Sequence, residues 1–454
     1  MARPPRPVAL VNGVTVGREA VEDVLAVAGA RHAFGAGMEP FAATAQGSFV
    51  DLLGRPLRLL VLCYETPPMG GGTGVACAQV LRVIARRTDL RIDVISSGLG
   101  REIEVLRQGS ATIHLLPVGK RDLNHWQPDE LLRWMVGSAR RAETLLRDGP
   151  FDLCHCWSGF PAGLVGWWLR HRQPYLVSLR GSDVPGYNRR LRLLEPLLLG
   201  RLARRVWRDS AGVFAVSRSL RALAQRTAAD IPIGVLPNGV DAEHFRPGAN
   251  GGNRELVFAG RLIPRKGVGF LLDAVAALAA RRPGLRLTIA GDGPERGALQ
   301  AQSDRLGLSA QVTFAGQLGR ADLADLLGRS GILVLPAVND AMPNVVLEGM
   351  AAGMAVIVTE TSAGGIVDGN GQLVPPGDPA ALAAAIERYL GDPELLADHQ
   401  RRSRELALGR SWDAVAADHL ARYGRAIAQP ALQAAASPPG REQFRANGDM
   451  LGFK

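Results

Sequence analysis

Leu256-Val-Phe-Ala-Gly260-Arg261-Leu-Ile-Pro-Arg265-Lys266-Gly267 is the stretch that decides the architecture. A short apolar run stops at a glycine, and a segment of helical period, 266–280, comes next. The same strand-then-helix unit recurs on both sides. Downstream, apolar runs at 286–290, 311–314, 332–335 and 355–359 alternate with helical segments at 294–306 and 344–352. Upstream, runs at 57–63, 91–95, 112–117, 152–156, 175–179 and 212–216 alternate with helices at 74–87 and 128–147. A repeated βα plan predicts parallel sheets. The plan is interrupted at Leu236-Pro-Asn-Gly-Val-Asp-Ala-Glu-His-Phe-Arg-Pro-Gly-Ala-Asn-Gly-Gly-Asn253, a turn-rich connection. The expected class is therefore α/β, with two Rossmann-like doubly wound domains, 56–245 and 246–428, facing a central cleft. Residues 1–55 form an extension with one helix expected around 17–29, and 429–454, rich in Ala, Pro and Gly, read as a disordered tail. Ligands should bind beyond the carboxyl ends of the strands, in the cleft.

Composition narrows the function. Of the 454 residues, 47% are apolar and 21% charged, ordinary values for a globular chain. No apolar run reaches the ~18–20 residues of a membrane span. Glu19, Glu22 and Asp23 lie soon after the basic N-terminus, so no secretory signal is expected. The four cysteines, two of them as Cys154-x-Cys156, give neither a disulfide framework nor a zinc spacing. A cytoplasmic location is the default expectation. The formal charge is +10, and all of it lies in residues 1–247, which hold 32 Lys+Arg against 22 Asp+Glu. A basic half suits nucleic acid, an anionic membrane or an anionic substrate. No zinc-finger or RNA-recognition signature is present, so nucleic acid is not expected as a partner.

Three stretches offer chemistry. After the first strand comes Cys63-Tyr-Glu-Thr-Pro-Pro-Met-Gly70-Gly71-Gly72-Thr73-Gly74, where backbone amides can approach an anion at a helix start. A tight turn with packing glycines would look the same. Arg261 and Lys266, five positions apart at a strand end and a helix start, suit a diphosphate held by a guanidinium and an ammonium. They would equally serve as surface charges. In Asn339-Asp340-Ala-Met-Pro343-Asn344-Val345-Val346-Leu347-Glu348, a loop carries Asp340 and a helix opens near Asn344. Its amides can hold an anion while Asp340 and Glu348 accept hydrogen bonds from hydroxyls. Capping by Asn344, with Glu348 as a favourable early acid, is the plainer reading.

Taken together, the order of these motifs resembles the retaining glycosyltransferases of family 4, with the GT-B fold. The resemblance runs from about 57 to 427 and includes Pro237-Asn-Gly-Val-Asp241, Gly291-Asp-Gly-Pro-Glu295, Val374-Pro-Pro-Gly-Asp378 and Ser411-Trp412. It implies that the C-terminal domain binds a nucleotide sugar and the N-terminal domain the acceptor. Arg261 and Lys266 match the family's diphosphate pair, and Glu348 matches the glutamate that holds the donor ribose. Asp340 stands where a glutamate normally contacts the donor sugar. Asn344, Val345 and Val346 match positions whose backbone faces sugar and phosphates, and Gly71 and Gly72 complete the donor site. Two departures stand out: Arg180 replaces the family's histidine, and Trp157 replaces the second histidine of a His-x-His whose first member is His155. The expected catalytic set is Arg261, Lys266, Asp340, Arg180 and His155.

With no Asp-x-Asp anywhere, no metal and no cofactor are expected; the nucleotide-diphosphate sugar is a co-substrate. The family implies front-face attack, the leaving phosphate taking the acceptor proton. The resemblance also implies a hexosyl transfer to a saccharide or lipid-linked acceptor in envelope or exported polysaccharide synthesis. The alternatives are a nucleotide-sugar 2-epimerase and an inactive sugar-nucleotide-binding scaffold. Residues 189–208 mix Leu, Trp and seven arginines, which suits an anionic surface on the inner face of a membrane. A core helix pair with a solvated basic face has the same pattern.

Overall fold

The computed structural model describes residues 9–11, 14–16, 48–69, 71–123, 126–187, 199–248, 254–363 and 365–428. A small antiparallel pair, β1 (Ala9–Val11) and β2 (Val14–Val16), precedes two α/β domains. The first domain holds β3 (Leu57–Leu62), β4 (Leu90–Gly98), β5 (Glu104–Gln108), β6 (Ala111–Pro117), β7 (Leu153–Cys156), β8 (Tyr175–Leu179), β9 (Gly212–Ala215) and β10 (Ile233–Val235). They form one sheet in the order β10-β9-β8-β7-β3-β4-β6-β5, parallel except where β5 meets β6. The second domain holds β11 (Leu256–Ala259), β12 (Leu287–Ala290), β13 (Val312–Gly316), β14 (Ile332–Leu335), β15 (Ala355–Thr359) and β16 (Gly371–Val374), in the order β13-β12-β11-β14-β15-β16. All its neighbouring strands run parallel. This is the doubly wound plan that the repeated units predict.

The central strands are buried on both faces, which is why they read as continuous apolar runs: β7, β8, β11, β14 and β15 have no exposed residue. The strands that the pattern does not reveal are short or half-exposed. β5 lies at a sheet edge with alternating exposure, β10 has three residues, and β16 begins with a glycine. Helices α1 (Gly72–Ile84), α2 (Pro128–Leu146), α3 (Gly200–Arg208), α4 (Val268–Ala279) and α5 (Asn344–Ala351) lie close to their expected places where the sequence indicates them. The expected helix at 17–29 and the expected disordered tail at 429–454 lie outside the described residues.

One boundary needs correction. The last helix, α6 (Trp412–Ala428), comes after the second domain in sequence but packs into the first. Trp412, Val415, Ala416, Leu420 and Tyr423 share a buried core with Leu59, Val61, Val80 and Trp157. Their spacing makes one apolar stripe, and a stripe does not say which core it will cover. The chain therefore crosses between domains twice, and the two crossings touch. The Val240 amide donates to the Arg410 carbonyl at 2.8 Å, and Val240 pairs with Ser411 as a parallel bridge. A Cβ on Gly239 would stand 3.0 Å from the Arg410 and Ser411 carbonyl oxygens, a tight contact that would push the two crossings apart by a few tenths of an ångström. Among the described residues no helix is long and apolar enough to cross a membrane.

Under α6 lies a buried polar cluster. His155 shares hydrogen bonds with the Tyr423 hydroxyl and the Ser178 hydroxyl, both at 2.8 Å. His419 stacks on Trp157 at 5.1 Å. Burial drives His155 down to about 3 and His419 well below the usual imidazole range. Because the folded values lie below the unfolded one, the unfolded chain takes up protons first as the pH falls. This stability is complete above about pH 6.5 and is lost progressively toward pH 3, by at most about 1.4 kcal/mol per pH unit for each histidine. Thermal denaturation from pH 7 to 4 should show a falling midpoint, and His419→Gln should flatten the slope; an unchanged slope would contradict this account.

Candidate active site

The order of strands reverses between β11 and β14, leaving a crevice beyond their carboxyl ends. Two loops descend into it. The first leaves β11 at Gly260, carries Arg261, turns through Pro264–Lys266 and caps at Gly267 with φ 69°. That conformation favours glycine, and a Cβ there would also lie 2.3 Å from the Pro336 carbonyl oxygen. The second loop leaves β14, carries Asp340 and opens α5 at Asn344. The Arg265 carbonyl accepts from the Val338 amide at 2.8 Å, tying the loops together.

Facing them from the first domain is the glycine turn that opens α1. Gly71, Gly72, Arg261, Lys266, Asp340, Asn344, Val345 and Glu348 line one cavity of about 380 Å³. This is the size of a small-molecule site. All eight are residues that the sequence singles out. Three other expected residues are not among its walls. Val346 is fully buried and its amide already bonds the Pro343 carbonyl at 3.1 Å, so it has no free donor for an anion. His155 is 1% exposed, with both ring nitrogens engaged beneath α6, which places it in the packing and not at the cleft. Arg180 is not among the residues that line the cavity, and its guanidinium reaches Asn238 at 2.8 Å.

The electrostatics are those of opposed charges in a half-buried space. Lys266 donates to Asp340 across the two loops. Burial lowers the pKa of Arg261, with Arg265 adding to the effect, while Glu65 and Asp340 oppose it. Burial pushes Glu348 up to about 7, with Arg320 pulling the other way. No described hydrogen bond reaches the Glu348 carboxylate, so it is available to a hydroxyl. Helix α5 directs its positive end and first amides into the cavity beside two cations, which suits a diphosphate. Among the described residues, no group of three or more His, Cys, Asp or Glu stands close enough to hold a metal ion.

Sequence reading misses three residues here. Glu65 is 8% exposed and sits within the field of Arg261 and Arg180, with Thr73 and the Gly71 amide bonding it; burial still pushes it up to about 7. Its signal is present, as the one acid in the loop between β3 and α1. Tyr187 of the first domain receives the Ala341 amide on its hydroxyl at 3.1 Å and the Asn339 side chain on its carbonyl at 3.1 Å. Asn238 bonds Asn344 at 2.6 Å. These two depend on contacts between distant segments, and nothing local announces them.

Two family models divide the chain: Glycosyltransferase Family 4 matches residues 70–244, and Glycosyl transferases group 1 matches residues 253–392. Among curated relatives, a D-inositol 3-phosphate glycosyltransferase of Catenulispora acidiphila is 33% identical over 421 residues, covering 82% of this chain and 96% of that protein. The chain belongs to the family 4 glycosyltransferases. An exopolysaccharide phosphotransferase of Streptomyces coelicolor is 32% identical over 217 residues, a match spanning 46% of this chain and only 22% of that protein. Among solved structures, a sucrose-phosphate synthase from Thermosynechococcus elongatus superposes with a TM-score of 0.70 at 20% identity, covering 82% of this chain and 99% of that one. HepE of Anabaena, solved with UDP-glucose, gives 0.63 at 20% identity, covering 80% of this chain and 99% of that one. These likenesses identify the fold of this glycosyltransferase as GT-B.

Paired with each other in the cavity, Lys266 and Asp340 should act on a phosphate in opposite senses. By calorimetry with inorganic pyrophosphate, Lys266→Ala should weaken binding by about 10- to 100-fold, the worth of a hydrogen bond from a charged group. Asp340→Asn should instead tighten it, since it removes both a competitor for Lys266 and a like charge. If both variants weaken binding, the ion pair does not guard the anion site.

Proposed function

We propose that this glycosyltransferase moves a hexosyl group, with retention and without a metal, from a nucleotide-diphosphate sugar to a saccharide or lipid-linked acceptor. The observation that carries the reading is that Arg261, Lys266, the α5 N-terminus and Glu348 line the same cavity. Cations and amides fixed before the reaction are suited to the charge that develops on a departing diphosphate, and each such donor is worth about 3–4 kcal/mol in mutagenesis. In the proposed step the bond from C1 to the diphosphate oxygen breaks and the acceptor oxygen bonds C1 from the same face. The proton of the acceptor hydroxyl passes to the leaving phosphate oxygen. No side-chain nucleophile is needed. Glu348 holds the donor ribose through its hydroxyls, and Asp340, released from Lys266 by the diphosphate, turns to the hexose. The UDP-glucose in HepE makes a uridine donor the first to test.

The acceptor side is read from charge. On α3, Arg201, Arg205 and Arg208 are exposed while Val206 and Trp207 are buried. Arg204 pairs with Asp230 at 2.8 Å, and Trp168, 65% exposed, projects from the helix Ala162–Trp168 packed beside α3. A basic face with a projecting indole suits an anionic membrane at its cytoplasmic side, where a polysaccharide intermediate on a lipid carrier would be met. Residues 189–190 and 192, also part of the basic stretch, lie outside the described residues.

A thermal-shift screen of nucleotide sugars should return one that raises the midpoint, and adding the acceptor should then release the nucleoside diphosphate. Release at the same rate without acceptor would point to epimerisation or hydrolysis. The pH dependence has a definite sign: an ionised Glu348 is the form that accepts from ribose. The donor KM should fall as pH rises through about 7, and Glu348→Gln should raise KM and abolish that dependence. In flotation assays the protein should follow vesicles containing anionic lipid, and replacing Arg201, Arg205 and Arg208 by Gln should release it at moderate salt.

A further inference from the structure

Four groups from four separate stretches form one directed line of hydrogen bonds. The Arg180 guanidinium donates from Nη2 to Asn238 Oδ1 at 2.8 Å. Asn238 Nδ2 donates to Asn344 Oδ1 at 2.6 Å, and Asn344 Nδ2 donates to the Gly72 carbonyl at 3.2 Å. Both ends fix the direction. A guanidinium can only donate and a carbonyl can only accept, so each amide between them has one orientation that satisfies every link. The path is unusual in where it goes. Arg180 follows β8 in the first domain, Asn238 lies in the first crossing, Asn344 opens α5 in the second domain, and Gly72 returns to the first. The line therefore leaves one domain, passes through the hinge, enters the other and comes back across the mouth of the cavity.

Arg180 is itself held rigidly. Its guanidinium lies 5.0 Å over the Trp157 ring, and Trp157 in turn donates to the Thr73 carbonyl at 3.1 Å. Its backbone amide bonds the Asp183 carboxylate, which also receives the amides of Gly159 and Gly181. Asn238 is 4% exposed, so its amide is held by these two partners away from bulk solvent. An arginine so placed is outside the cavity but is linked through Asn238 to Asn344, which lines it. We propose that Arg180 is the anchor of an interdomain latch, a positioning residue that acts through Asn238 and Asn344 to keep the cleft closed and the α5 N-terminus aimed at the cavity. A catalytic contact between Arg180 and substrate is not part of this role.

The kinetic part of the test rests on the reading that the cavity takes a nucleotide sugar; the structural part does not. All four cysteines are buried, so Glu102→Cys and Glu394→Cys, exposed positions on the two domains, can be labelled selectively in the full chain. Distance distributions between the labels, without ligand, should lengthen and broaden in R180Q, N238A and N238D. Asn238→Asp keeps an acceptor for Arg180 and replaces the donor to Asn344 by a carboxylate oxygen, so the line can survive only if the Asn344 amide turns over and gives up Gly72; it covers the case in which R180Q fails to fold. Because one line carries the effect, R180Q/N238A should be no more open than either single variant. With the donor found by the screen, each variant should raise donor KM about 10-fold, as expected when the closed form becomes the minor one, while kcat changes far less. Unchanged distances in R180Q and N238D would overturn the latch, as would additive effects of the two changes or a loss confined to kcat. Should no nucleotide sugar turn over, the distances alone decide the latch, and the functional reading fails separately.

Discussion

Everything in this molecule hangs on two backbone segments lying side by side where the chain passes between its domains. Gly239 sits close against the carbonyl oxygens of Arg410 and Ser411, 3.0 Å from where a Cβ would stand, and Val240 bonds across. A single crossing would leave two domains free to swivel about one strand of chain. A paired crossing restricts the motion to a hinge, and it works only because α6 returns to the first domain and buries Trp412, Val415 and Leu420 there. The burial of α6 thus does more than stabilise: it creates the second crossing, which sets the line along which the cleft can open. The site inherits its geometry from that line, because its walls come from both domains.

In and around the cavity several cations already have a carboxylate close by, although Glu348 has no described partner. Lys266 holds Asp340, Arg261 feels Glu65 and Asp340, and Arg320 holds Asp241 at 3.0 Å. A buried cation without a partner would be costly, and one with too firm a partner would not release it to a ligand. Half-burial is the compromise. The Glu65 carboxylate, beside Arg261 and outside the cavity wall, is pushed toward neutrality by desolvation, so it opposes an incoming anion less than a full negative charge would. On the proposed function, binding a diphosphate would be an exchange of partners more than a neutralisation.

How much of this can be read from the chain depends on how local each feature is. Strands such as Ile332–Leu335, buried on both faces, advertise themselves as unbroken apolar runs, and the glycines at the ensuing turns mark where backbone must come close. Gly71, Arg261, Lys266, Asp340, Asn344 and Glu348 each sit near the end of a strand or the start of a helix, so the fold class alone brings them together. The failures have the opposite character. Asn238 and Asn344 are 106 positions apart, and neither residue type demands the other. His155 reads as a site residue because it lies near a strand end, but the helix that covers it comes from the far end of the chain. Val346 shares a motif with its neighbours, although as the third residue of its helix it turns its side chain inward.

The charge asymmetry also acquires a different meaning once the contacts are known. The second half of the chain has no net charge, yet it supplies Arg261, Lys266 and the α5 N-terminus; the cations are local and each is matched by a carboxylate nearby. A site that works by exchanging partners leaves no trace in the net charge. The first half carries the whole excess, and on α3 several arginines face solvent with, among the described residues, Asp209 and Asp230 as the carboxylates close by. The surplus of surface charge left after Asp230 pairs with Arg204 and Arg208 acts at a distance, over roughly a Debye length of 8–10 Å, whereas the matched pairs act only on contact. Long-range attraction therefore belongs to the proposed acceptor domain, and short-range recognition to the proposed donor domain. An enzyme that must gather one substrate from a surface and the other from solution has use for that division, since attraction spread over both domains would draw a dinegative donor to the wrong face.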